Sequence, residues 1–322
     1  MGNSECGMRS KNRKNNIPNS ALYTPHLEQV TLAEAIKKAA STLSAHSVSN
    51  ARLDAEVLLR FILDRDRAWL MTHANDPLDD DKRGLFEKAV DRRAKREPLQ
   101  YIIGRQEFWG LDFIVRPNVL IPRPETELVV ETALKVAEHG RRSAKADTPF
   151  TIVDLCTGSG CIAISLARGI RNARFFAIDT SGRAIAIARE NARKHGVSER
   201  IRFLEGDLFQ PLEELDVRGR VDIITANPPY IRSGDLRGLQ PEVRDFEPEI
   251  ALIAGPGGRE VHQKIIEAAP AFLKKHGSLI MEMGEGQAKA LFEMVNKDGR
   301  YAAPEILKDL AGIDRVIVAQ KK

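Results

Sequence analysis

Short apolar runs alternate with amphipathic helical patterns from residue 151 onward, and this alternation limits the fold more than any other feature of the chain. Strands are predicted at residues 151–155, 173–178, 201–204, 221–225, 278–283, 305–310 and 315–319. Helices are predicted between them, at residues 161–170, 183–195, 260–275 and 287–295. A strand, a helix and another strand in succession favour parallel pairing, with helices covering both faces of the sheet. We therefore predict an α/β fold with a mostly parallel sheet.

The N-terminal part of the chain has a helical pattern without strands. Thr31 is a suitable N-cap for a first amphipathic helix, and Asn50 is suited to cap a second one. A short third helix is predicted around Trp69, and a fourth over about residues 81–96. Residues 30–98 are therefore predicted to form a small helical domain.

Residues 99–122 differ from both of their neighbours and are predicted to link them. Aromatic and aliphatic residues on either side of Gly110 favour a β-hairpin, and a helix is expected to begin at Glu125. A second domain is then predicted over residues 123–322. Residues 1–29 are rich in Asn, Ser, Lys and Arg and have few apolar anchors, so a disordered tail is predicted there.

Composition argues against several classes of function. The formal net charge of +4 gives little reason to expect a nucleic-acid substrate, and we interpret the basic run at residues 92–96 as a solvated helix face. Three cysteines without a C-x-x-C pair are typical of a reducing compartment, and the seven scattered histidines predict no metal site. No apolar run approaches the roughly 20 residues of a membrane helix, and the N-terminus lacks the apolar core of a signal peptide. A cytoplasmic protein without a membrane partner is predicted.

A glycine-containing loop connects the first strand of the alternating region to its helix. It reads Asp154-Leu155-Cys156-Thr157-Gly158-Ser159-Gly160. Glycines at such a turn let the backbone approach a bound ligand closely. Cys156 stands where the dinucleotide-binding fingerprint has its first glycine, and no glycine follows three residues after Gly160. A loop that cradles a pyrophosphate is therefore a poor fit.

Two carboxylates follow neighbouring strands of the predicted sheet. Asp179 ends the second strand, where α/β nucleotide-binding folds place a carboxylate that accepts ribose hydroxyls. Asp207 ends the third strand, and Leu208 beside it can pack against an adenine ring. These groups should line one crevice, which suits a nucleoside that has no phosphates and carries a sulfonium cation. The alternative is an ordinary turn at Gly158 and Gly160, with Asp179 as a helix cap.

Asn227-Pro228-Pro229-Tyr230 follows the fourth strand directly and is the most specific pattern in the chain. Methyl transfer from a sulfonium to nitrogen is an in-line displacement, and the delocalised lone pair of an amide or amino nitrogen is a poor nucleophile. The Asn227 side-chain carbonyl and the Pro228 backbone carbonyl can hold the two N–H groups of such a nitrogen. Consecutive prolines keep these acceptors stiff, and the Tyr230 ring can cover the planar group. The alternative is a turn that only ends a strand.

Together with the loop at residues 154–160, this motif resembles those of class I methyltransferases that act on planar nitrogens. That group includes adenine-N6, cytosine-N4 and glutamine-N5 enzymes. Two segments before the loop are similar to the peptide chain release factor glutamine methyltransferases, the HemK/PrmC family. These segments are residues 105–113 (RQEFWGLDF) and residues 116–127 (RPNVLIPRPETE). The resemblance covers about residues 30–320.

The resemblance implies a Rossmann-like, seven-stranded methyltransferase domain joined by a β-hairpin to a helical N-terminal domain. We expect this helical domain to dock the substrate, and the alternative is that it only stabilises the fold. The resemblance also implies methyl transfer from S-adenosylmethionine to the glutamine of the Gly-Gly-Gln loop of release factors. By motif match it assigns cofactor binding to Cys156, Thr157, Gly158, Ser159, Gly160, Asp179, Leu208 and Asn227. Asp207 is predicted to join them from its position at the end of the third strand. The resemblance assigns substrate binding to Asn227, Pro228, Pro229 and Tyr230, of which Asn227, Pro228 and Tyr230 are the predicted catalytic residues. Cys156 and Leu208 stand where the family more often has glycine and an aromatic residue.

Other substrates remain open from the sequence. The same motif serves adenine-N6 methyltransferases of nucleic acids, but neither a basic channel nor a target-recognition domain is visible here. A related enzyme methylates a ribosomal-protein glutamine, and the run at residues 121–127 favours the release-factor branch instead. A catalytically inactive assembly module would not need an intact motif at residues 227–230. The sequence does not say which release factors are methylated, what the oligomeric state is or what residues 1–29 do.

Overall fold

The protein is described by a computed structural model over residues 1–2, 30–143 and 150–322. The predicted tail at residues 1–29 lies outside the described residues except for its first two positions. Among the described residues, no helix combines the length and the apolar character needed to span a membrane.

Five helices lie within residues 30–103. They are α1 (Leu32–Ala45), α2 (Ala51–Leu63), α3 (Arg67–Thr72), α4 (Asp80–Ala94) and α5 (Leu99–Ile103). Thr31 caps α1 as predicted: its hydroxyl accepts from the Glu34 N–H at 3.3 Å, and the Glu34 carboxylate accepts from the Thr31 N–H at 2.9 Å. Asn50 precedes α2 as predicted, but its side chain makes no capping hydrogen bond. Leu58 and Leu59 of α2 are fully buried among these helices.

A two-stranded hairpin follows the helices. β1 (Arg105–Phe108) and β2 (Leu111–Ile114) pair antiparallel across Trp109 and Gly110, which confirms the predicted hairpin. Both turn residues have positive φ, as the tight turns of such hairpins require. The short helix α5 before the hairpin was not predicted, because a helical period cannot be recognised over five residues.

The remaining chain contains six helices and nine strands within its described residues. The helices are α6 (Glu127–Ser143), α7 (Cys161–Gly169), α8 (Gly182–Lys194), α9 (Pro241–Arg244), α10 (Glu260–Phe272) and α11 (Ala288–Asp298). The strands are β3 (Phe150–Leu155), β4 (Ala173–Asp179), β5 (Ile201–Glu205), β6 (Val221–Ala226), β7 (Ile231–Arg232), β8 (Ile253–Gly255), β9 (Leu273–Glu282), β10 (Glu305–Lys308) and β11 (Asp314–Gln320).

Seven of these strands form one sheet in the order β10-β11-β9-β6-β3-β4-β5. The neighbouring strands from β9 to β5 are all parallel, whereas β11 runs antiparallel to both β9 and β10. This arrangement confirms the predicted α/β fold with a mostly parallel seven-stranded sheet. The carboxyl ends of β3, β4, β5 and β6 therefore meet at one edge, where the crevice of an open α/β sheet is expected.

Alternate residues of the central strands bury into two hydrophobic layers, one on each face of the sheet. Ile152 of β3 belongs to the layer that contains Ile164 of α7. Val153, the next residue, belongs to the opposite layer with Ile265 of α10. Both faces are therefore covered, as the alternation of strands and helices predicted.

Two parts of the second half differ from the sequence-based expectation. The helix predicted to reach residue 275 ends at Phe272, and the following strand begins at Leu273 instead of residue 278. Leu273 is paired with Val221 of β6, so contact with the neighbouring strand outweighs the local helical pattern. The elements β7, α9 and β8 were not predicted, because each is too short to show a period.

A buried side chain of α8 connects the hairpin to the loop after β3. The Asn191 side chain of α8 accepts from the Ile114 N–H at 2.7 Å and donates to the Ile114 carbonyl at 3.0 Å. The same amide group also donates to the Ser159 carbonyl at 3.0 Å. The linker is thereby fixed to the glycine-containing loop at the end of β3.

Candidate active site

A cavity of about 260 Å³ lies at the carboxyl edge of the sheet, and we call it the first cavity. The predicted site residues that line it are Cys156, Gly158, Asp179, Asp207, Leu208, Asn227 and Pro229. The linker contributes Asn118, Val119 and Leu120 to its wall, which the sequence did not indicate. The structure thus brings together residues from four strand ends and from the segment before the sheet.

Three predicted residues of the loop are not among those that line the first cavity. The Thr157 hydroxyl donates to the Asp154 carboxylate at 2.6 Å, and its N–H donates to the Ile178 carbonyl at 2.9 Å. Ser159 is buried, and its carbonyl accepts from Asn191. A Cβ on Gly160 would lie 2.9 Å from the Ile164 side chain, so this glycine permits close packing of the loop. These three residues shape the loop from behind.

Asp179 organises the loop through both of its carboxylate oxygens. One oxygen accepts from the Gly158 N–H at 2.8 Å, and the other accepts from the Ser181 N–H at 2.9 Å. Burial raises the pKa of Asp179, and the hydrogen bonds from Ser181 and Gly158 oppose that increase. Asp179 therefore holds the entrance to α8 and the glycine turn in one arrangement.

Asp154 is a buried carboxyl group behind the first cavity, and the sequence analysis did not select it. Its oxygens accept from the Thr157 hydroxyl at 2.6 Å and from the Thr225 hydroxyl at 2.8 Å. Burial raises the pKa of Asp154 to about 7, against the effect of these hydrogen bonds. A charged residue near the end of an otherwise apolar strand was the signal that could have found it.

Cys156 and Leu208 have backbone conformations that favour glycine. Their φ angles are 55° and 46°, in the left-handed region that non-glycine residues seldom adopt. The Cys156 thiol is kept neutral, because burial and the nearby Asp179, Asp154 and Asp207 raise its pKa. Cys156 is therefore a neutral wall of the first cavity and is not activated as a nucleophile.

The lining of the first cavity is acidic and apolar, without a cation. Among its described lining residues there is no lysine, arginine or histidine. Asp179 and Asp207 supply carboxylates, while Ile178, Leu208 and Ile253 supply apolar surface. Such a lining opposes a phosphate-bearing ligand and favours a cationic or hydroxyl-rich one.

A second cavity of about 200 Å³ meets the first one at Asn227. The residues that line it are Leu120, Arg123, Asn227, Tyr230, Ile231, Val243, Ala251 and Leu252. Leu120, Asn227 and Ala251 belong to both cavities. A group in the second cavity would therefore meet a ligand of the first cavity beside Asn227.

The Asn227 side chain forms a hydrogen bond through its amide nitrogen but not through its carbonyl oxygen, within the described part of the chain. Its amide nitrogen donates to the Thr126 hydroxyl at 3.0 Å. Its carbonyl oxygen is buried and has no hydrogen-bond partner within the described part of the chain. A buried acceptor without a donor costs stability unless a ligand supplies the missing hydrogen bond.

The rest of the motif is held from both sides. Pro228 is buried, and Pro229 lines the first cavity. The Tyr230 carbonyl accepts from the Gln287 side chain at 3.0 Å, and the Tyr230 hydroxyl lies 3.4 Å from the Glu282 carboxylate. Burial and the neighbouring Glu282 raise the pKa of Tyr230, so the phenol stays protonated.

Glu282 and Thr126 are site residues that the sequence analysis missed. The Thr126 hydroxyl donates to the Glu282 carboxylate at 2.5 Å, and both side chains are buried. Burial raises the pKa of Glu282 to about 7, although the hydrogen bond from Thr126 and the charge of Arg315 oppose the increase. Thr126 lies in the segment at residues 116–127 that carries the family resemblance, but that resemblance gave it no role, and it stands 101 positions before Asn227 in the chain. Glu282 belongs to no motif that the sequence analysis selected.

The segment around α9 is held by ion pairs from outside the sheet. Arg96 forms a two-pronged pair with Glu242, at 2.7 and 2.6 Å, and Arg93 reaches the same carboxylate at 2.9 Å. Arg93 also contacts Asp54 at 2.7 Å, while Arg123 pairs with Glu247 at 2.5 Å at the edge of the second cavity. These ion pairs connect the N-terminal helices to the wall of the site.

These contacts correct the interpretation of residues 92–96 as a solvated helix face. Arg93 is only 7% exposed. Arg92 fits the earlier interpretation better, since its side chain is 48% exposed and pairs with Glu97 of the same segment. A basic run cannot be assigned to solvent from its composition, because its acidic partner Glu242 lies 146 residues away from Arg96.

Two regions of the chain match models of known protein families, and the similar full-length proteins share one name. Residues 34–104 match the PrmC N-terminal domain, and residues 147–315 match a methyltransferase domain. The release factor glutamine methyltransferase of Geobacter sulfurreducens is 43% identical over 275 residues, which cover 85% of this chain and 91% of that protein. The protein of the same name from Moorella thermoacetica is 40% identical over 293 residues, which cover 91% of this chain and 99% of that protein.

A similar fold occurs among solved structures. The catalytic domain of hMettl16, in complex with a MAT2A 3′UTR hairpin, aligns with a TM-score of 0.53 at 16% identity. The alignment covers 72% of this chain and 81% of that one. At this identity the likeness concerns the fold alone.

Proposed function

Because this chain belongs to the release factor glutamine methyltransferase family, we propose that it methylates a glutamine side-chain amide of a peptide chain release factor. The methyl donor is S-adenosylmethionine, and the acceptor is the N5 nitrogen of the glutamine in the Gly-Gly-Gln loop. The observation that carries this proposal is the buried, unpartnered side-chain oxygen of Asn227 at the junction of the two cavities.

The lining of the first cavity supports S-adenosylmethionine as the donor. When bound, S-adenosylmethionine supplies a methyl group activated by a positively charged sulfur. Asp179 and Asp207 are suited to ribose hydroxyls and an amino group, and Leu208 is suited to the adenine face. Cys156 and Gly158 form the wall beside Asp179, and Thr157, Ser159 and Gly160 hold the loop in shape.

The second cavity supports a primary amide as the acceptor. The Asn227 side-chain oxygen accepts one N–H of the glutamine amide, and the Pro228 backbone carbonyl accepts the other. Two fixed acceptors orient the plane of the NH2 group and increase electron density on its nitrogen. The ring of Tyr230 covers the flat amide, and the consecutive prolines Pro228 and Pro229 keep the two acceptors stiff. After methyl transfer the amide nitrogen carries a positive charge and is acidic, so it loses one proton to solvent.

The N-terminal helices support this reaction in one of two ways. Their proposed role is to dock the body of the release factor so that its loop reaches Asn227. The ion pairs of Arg93 and Arg96 with Glu242 also give them a structural role at the wall of the second cavity. Deleting the helices would remove both roles at once, so substitutions of exposed side chains are the sharper test.

Leu53, Met71 and Leu85 are exposed apolar residues of these helices. Replacing each of them by serine should raise KM for the whole release factor and leave KM for a short loop peptide unchanged if the helices dock the factor. An equal change for both acceptors would instead assign the helices a structural role.

The proposed function is tested by offering several acceptors in parallel. The protein is incubated with S-adenosylmethionine that carries an isotopically labelled methyl group, together with purified release factors, ribosomal proteins or DNA. Mass spectrometry then maps the labelled residue. We expect the label on the glutamine of the Gly-Gly-Gln loop, and a release factor with that glutamine replaced by alanine should receive none. Label on DNA or on a ribosomal protein, with none on release factors, would contradict the proposal.

A further inference from the structure

The Asn227 amide can be placed in two orientations, and only one of them suits an NH2 acceptor. With its oxygen toward the substrate, Asn227 accepts an N–H hydrogen bond. With its NH2 group toward the substrate, Asn227 would place its own N–H donors against the N–H donors of the substrate NH2 group, and no hydrogen bond could form. Some feature of the site must therefore select the first orientation.

Thr126 and Glu282 supply that selection. The Thr126 hydroxyl has a single hydrogen, and the Glu282 carboxylate 2.5 Å away takes it. Toward Asn227 the same hydroxyl can then offer only a lone pair. A lone pair binds the amide nitrogen of Asn227, which lies 3.0 Å away, and repels the amide oxygen. The oxygen is consequently left on the other side, where it has no partner within the described chain.

We propose that Thr126 and Glu282 are positioning residues that fix the Asn227 side chain with its oxygen facing the acceptor. This inference rests on the proposed function, because it concerns the same NH2 group. Neither residue touches the reacting atoms: each acts through Asn227. The chain of hydrogen bonds runs in one direction, from Asn227 to Thr126 and from Thr126 to Glu282.

The direction of this chain depends on the ionisation of Glu282. A protonated Glu282 can donate to the Thr126 hydroxyl. That hydroxyl is then free to donate its own hydrogen to the Asn227 side-chain oxygen, so the opposite orientation of Asn227 is no longer disfavoured. The groups that surround Glu282 are Glu125, Thr126, Cys161, Tyr230, His262 and Arg315. His262 lies on the far side and donates to the Glu282 backbone carbonyl at 2.8 Å, and burial lowers its pKa to about 4, so it stays neutral.

Arg315 is the cation that favours the ionised form, whereas Glu125 and burial oppose it. With the pKa of Glu282 at about 7, the correct orientation is secured above pH 7 and weakens as the pH falls below it.

Substitution of Thr126 separates positioning from general stability. Thr126→Val keeps the shape of the side chain and removes the hydroxyl, so kcat should fall by about 10-fold, the effect of one lost hydrogen bond, while S-adenosylmethionine affinity is unchanged. Thr126→Ser restores the hydroxyl and should recover most of kcat. Thr132→Val is the matched control, because Thr132 is also buried and its hydroxyl only donates to the Leu128 carbonyl of the same helix. Equal kcat losses in Thr126→Ser and Thr126→Val would overturn the proposal.

A measurement without any acceptor keeps this inference distinct from the proposed function. The side-chain amide signals of Asn227 are followed by 1H–15N NMR while the pH is changed through 7, and Asn227→Asp identifies them by their loss. We expect these signals to titrate with a midpoint near the pKa of Glu282, at about 7. In Glu282→Gln they should no longer titrate.

Asp154 is a second buried carboxyl group with a pKa of about 7, so Asp154→Asn serves as the control. The Asn227 signals should still titrate in that variant. Signals that do not respond to pH in the unmodified protein, or that still titrate in Glu282→Gln, would overturn the positioning role. These NMR outcomes would overturn the positioning role even if the protein methylates a release factor, so the two proposals can fail independently.

Discussion

The two cavities that meet at Asn227 are constructed in different ways. The first is lined by residues at or just after strand ends, such as Cys156 after β3, Asp179 at the end of β4 and Leu208 after β5. Neighbouring strands of the sheet bring these residues together. The second depends on contacts between distant segments, such as Thr126 with Asn227 and Arg96 with Glu242.

The two cavities therefore depend on different features of the fold. Much of the first cavity follows from the topology of a parallel sheet, because the residues after β3, β4, β5 and β6 meet at one edge, and the linker adds Asn118, Val119 and Leu120 to the wall. The second cavity takes Asn227 and Tyr230 from the end of β6, and contacts of individual side chains fix the rest of its wall. Substitutions in the first cavity should therefore act on ligand affinity, whereas substitutions around the second should act on turnover or on acceptor binding.

The largest effect is expected where the two cavities meet. Asn227→Ala removes the free acceptor, and kcat should fall by about 100- to 1,000-fold, the usual loss for one preorganised polar group. Binding of S-adenosylmethionine, measured by calorimetry, should remain detectable because the first cavity keeps its other residues. Asn75→Ala, at an exposed position of the N-terminal region, is the matched control. A variant that transfers methyl groups at the normal rate would disprove the catalytic role of Asn227.

A smaller effect, restricted to the first cavity, is expected at Asp179. Asp179→Ala removes one hydrogen bond to the loop at Gly158, one to Ser181 before α8 and the acceptor for ribose hydroxyls, so S-adenosylmethionine should bind about 10- to 100-fold more weakly. At saturating S-adenosylmethionine kcat should be largely kept. Asp179→Asn retains one acceptor oxygen, so its affinity for S-adenosylmethionine should lie between those of the unmodified protein and Asp179→Ala. If Asp179→Ala changed KM for the release factor and left S-adenosylmethionine affinity unchanged, the first cavity would not be the site of S-adenosylmethionine binding.

The ion pairs around Glu242 test the other side of the comparison. Burial opposes ionisation of Glu242, but the hydrogen bonds from Arg96 and Arg93 outweigh it and lower its pKa. Glu242→Gln should lower the free energy of unfolding by about 1–3 kcal/mol and raise KM for the acceptor by a few-fold, with S-adenosylmethionine affinity unchanged.

Glu213→Gln is the control for this change, because Glu213 pairs with Arg218 while both side chains are about half exposed. Its cost, measured by urea unfolding, should stay below about 1 kcal/mol. Equal costs in the two variants would mean that the Glu242 ion pairs do not hold the second cavity.

The smallest effect is expected at Cys156. Cys156→Gly relieves the positive φ but increases the freedom of the unfolded chain, so the two terms largely cancel, leaving a net change within about 1 kcal/mol in stability. Cys156→Ala removes the thiol and keeps the strained backbone, so it separates the two contributions. Thermal unfolding measures both variants, and a large loss of S-adenosylmethionine affinity in Cys156→Ala alone would give the thiol a role in binding.

The same contrast explains how much of the site could be predicted from sequence. Gly158, Asp179 and Asn227 follow strands that the apolar pattern reveals, so their meeting at one edge follows from parallel pairing. Thr126 and Glu282 gave no such signal. A single threonine near a helix start and a glutamate at the end of an apolar strand each have several ordinary explanations.

The fold shows the same limit. The seven strands of the sheet were predicted, because each is an apolar run bounded by polar or glycine-containing turns. The region from β7 to β8 was not, although it contributes Val243 and Ala251 to the second cavity. Its elements are two to four residues long, and tertiary contacts such as that of Arg96 with Glu242 hold it in place.

The raised pKa of Glu282 has a consequence for the pH dependence of folding. A carboxyl group whose pKa rises from 4.5 to about 7 on folding binds its proton more tightly in the native state, so native stability declines as the pH climbs between these two values. The decline is on the order of a few kcal/mol. The ionised form that orients Asn227 is therefore the form of Glu282 that its buried site tolerates least, so this one group contributes least to native stability at the pH that secures the orientation.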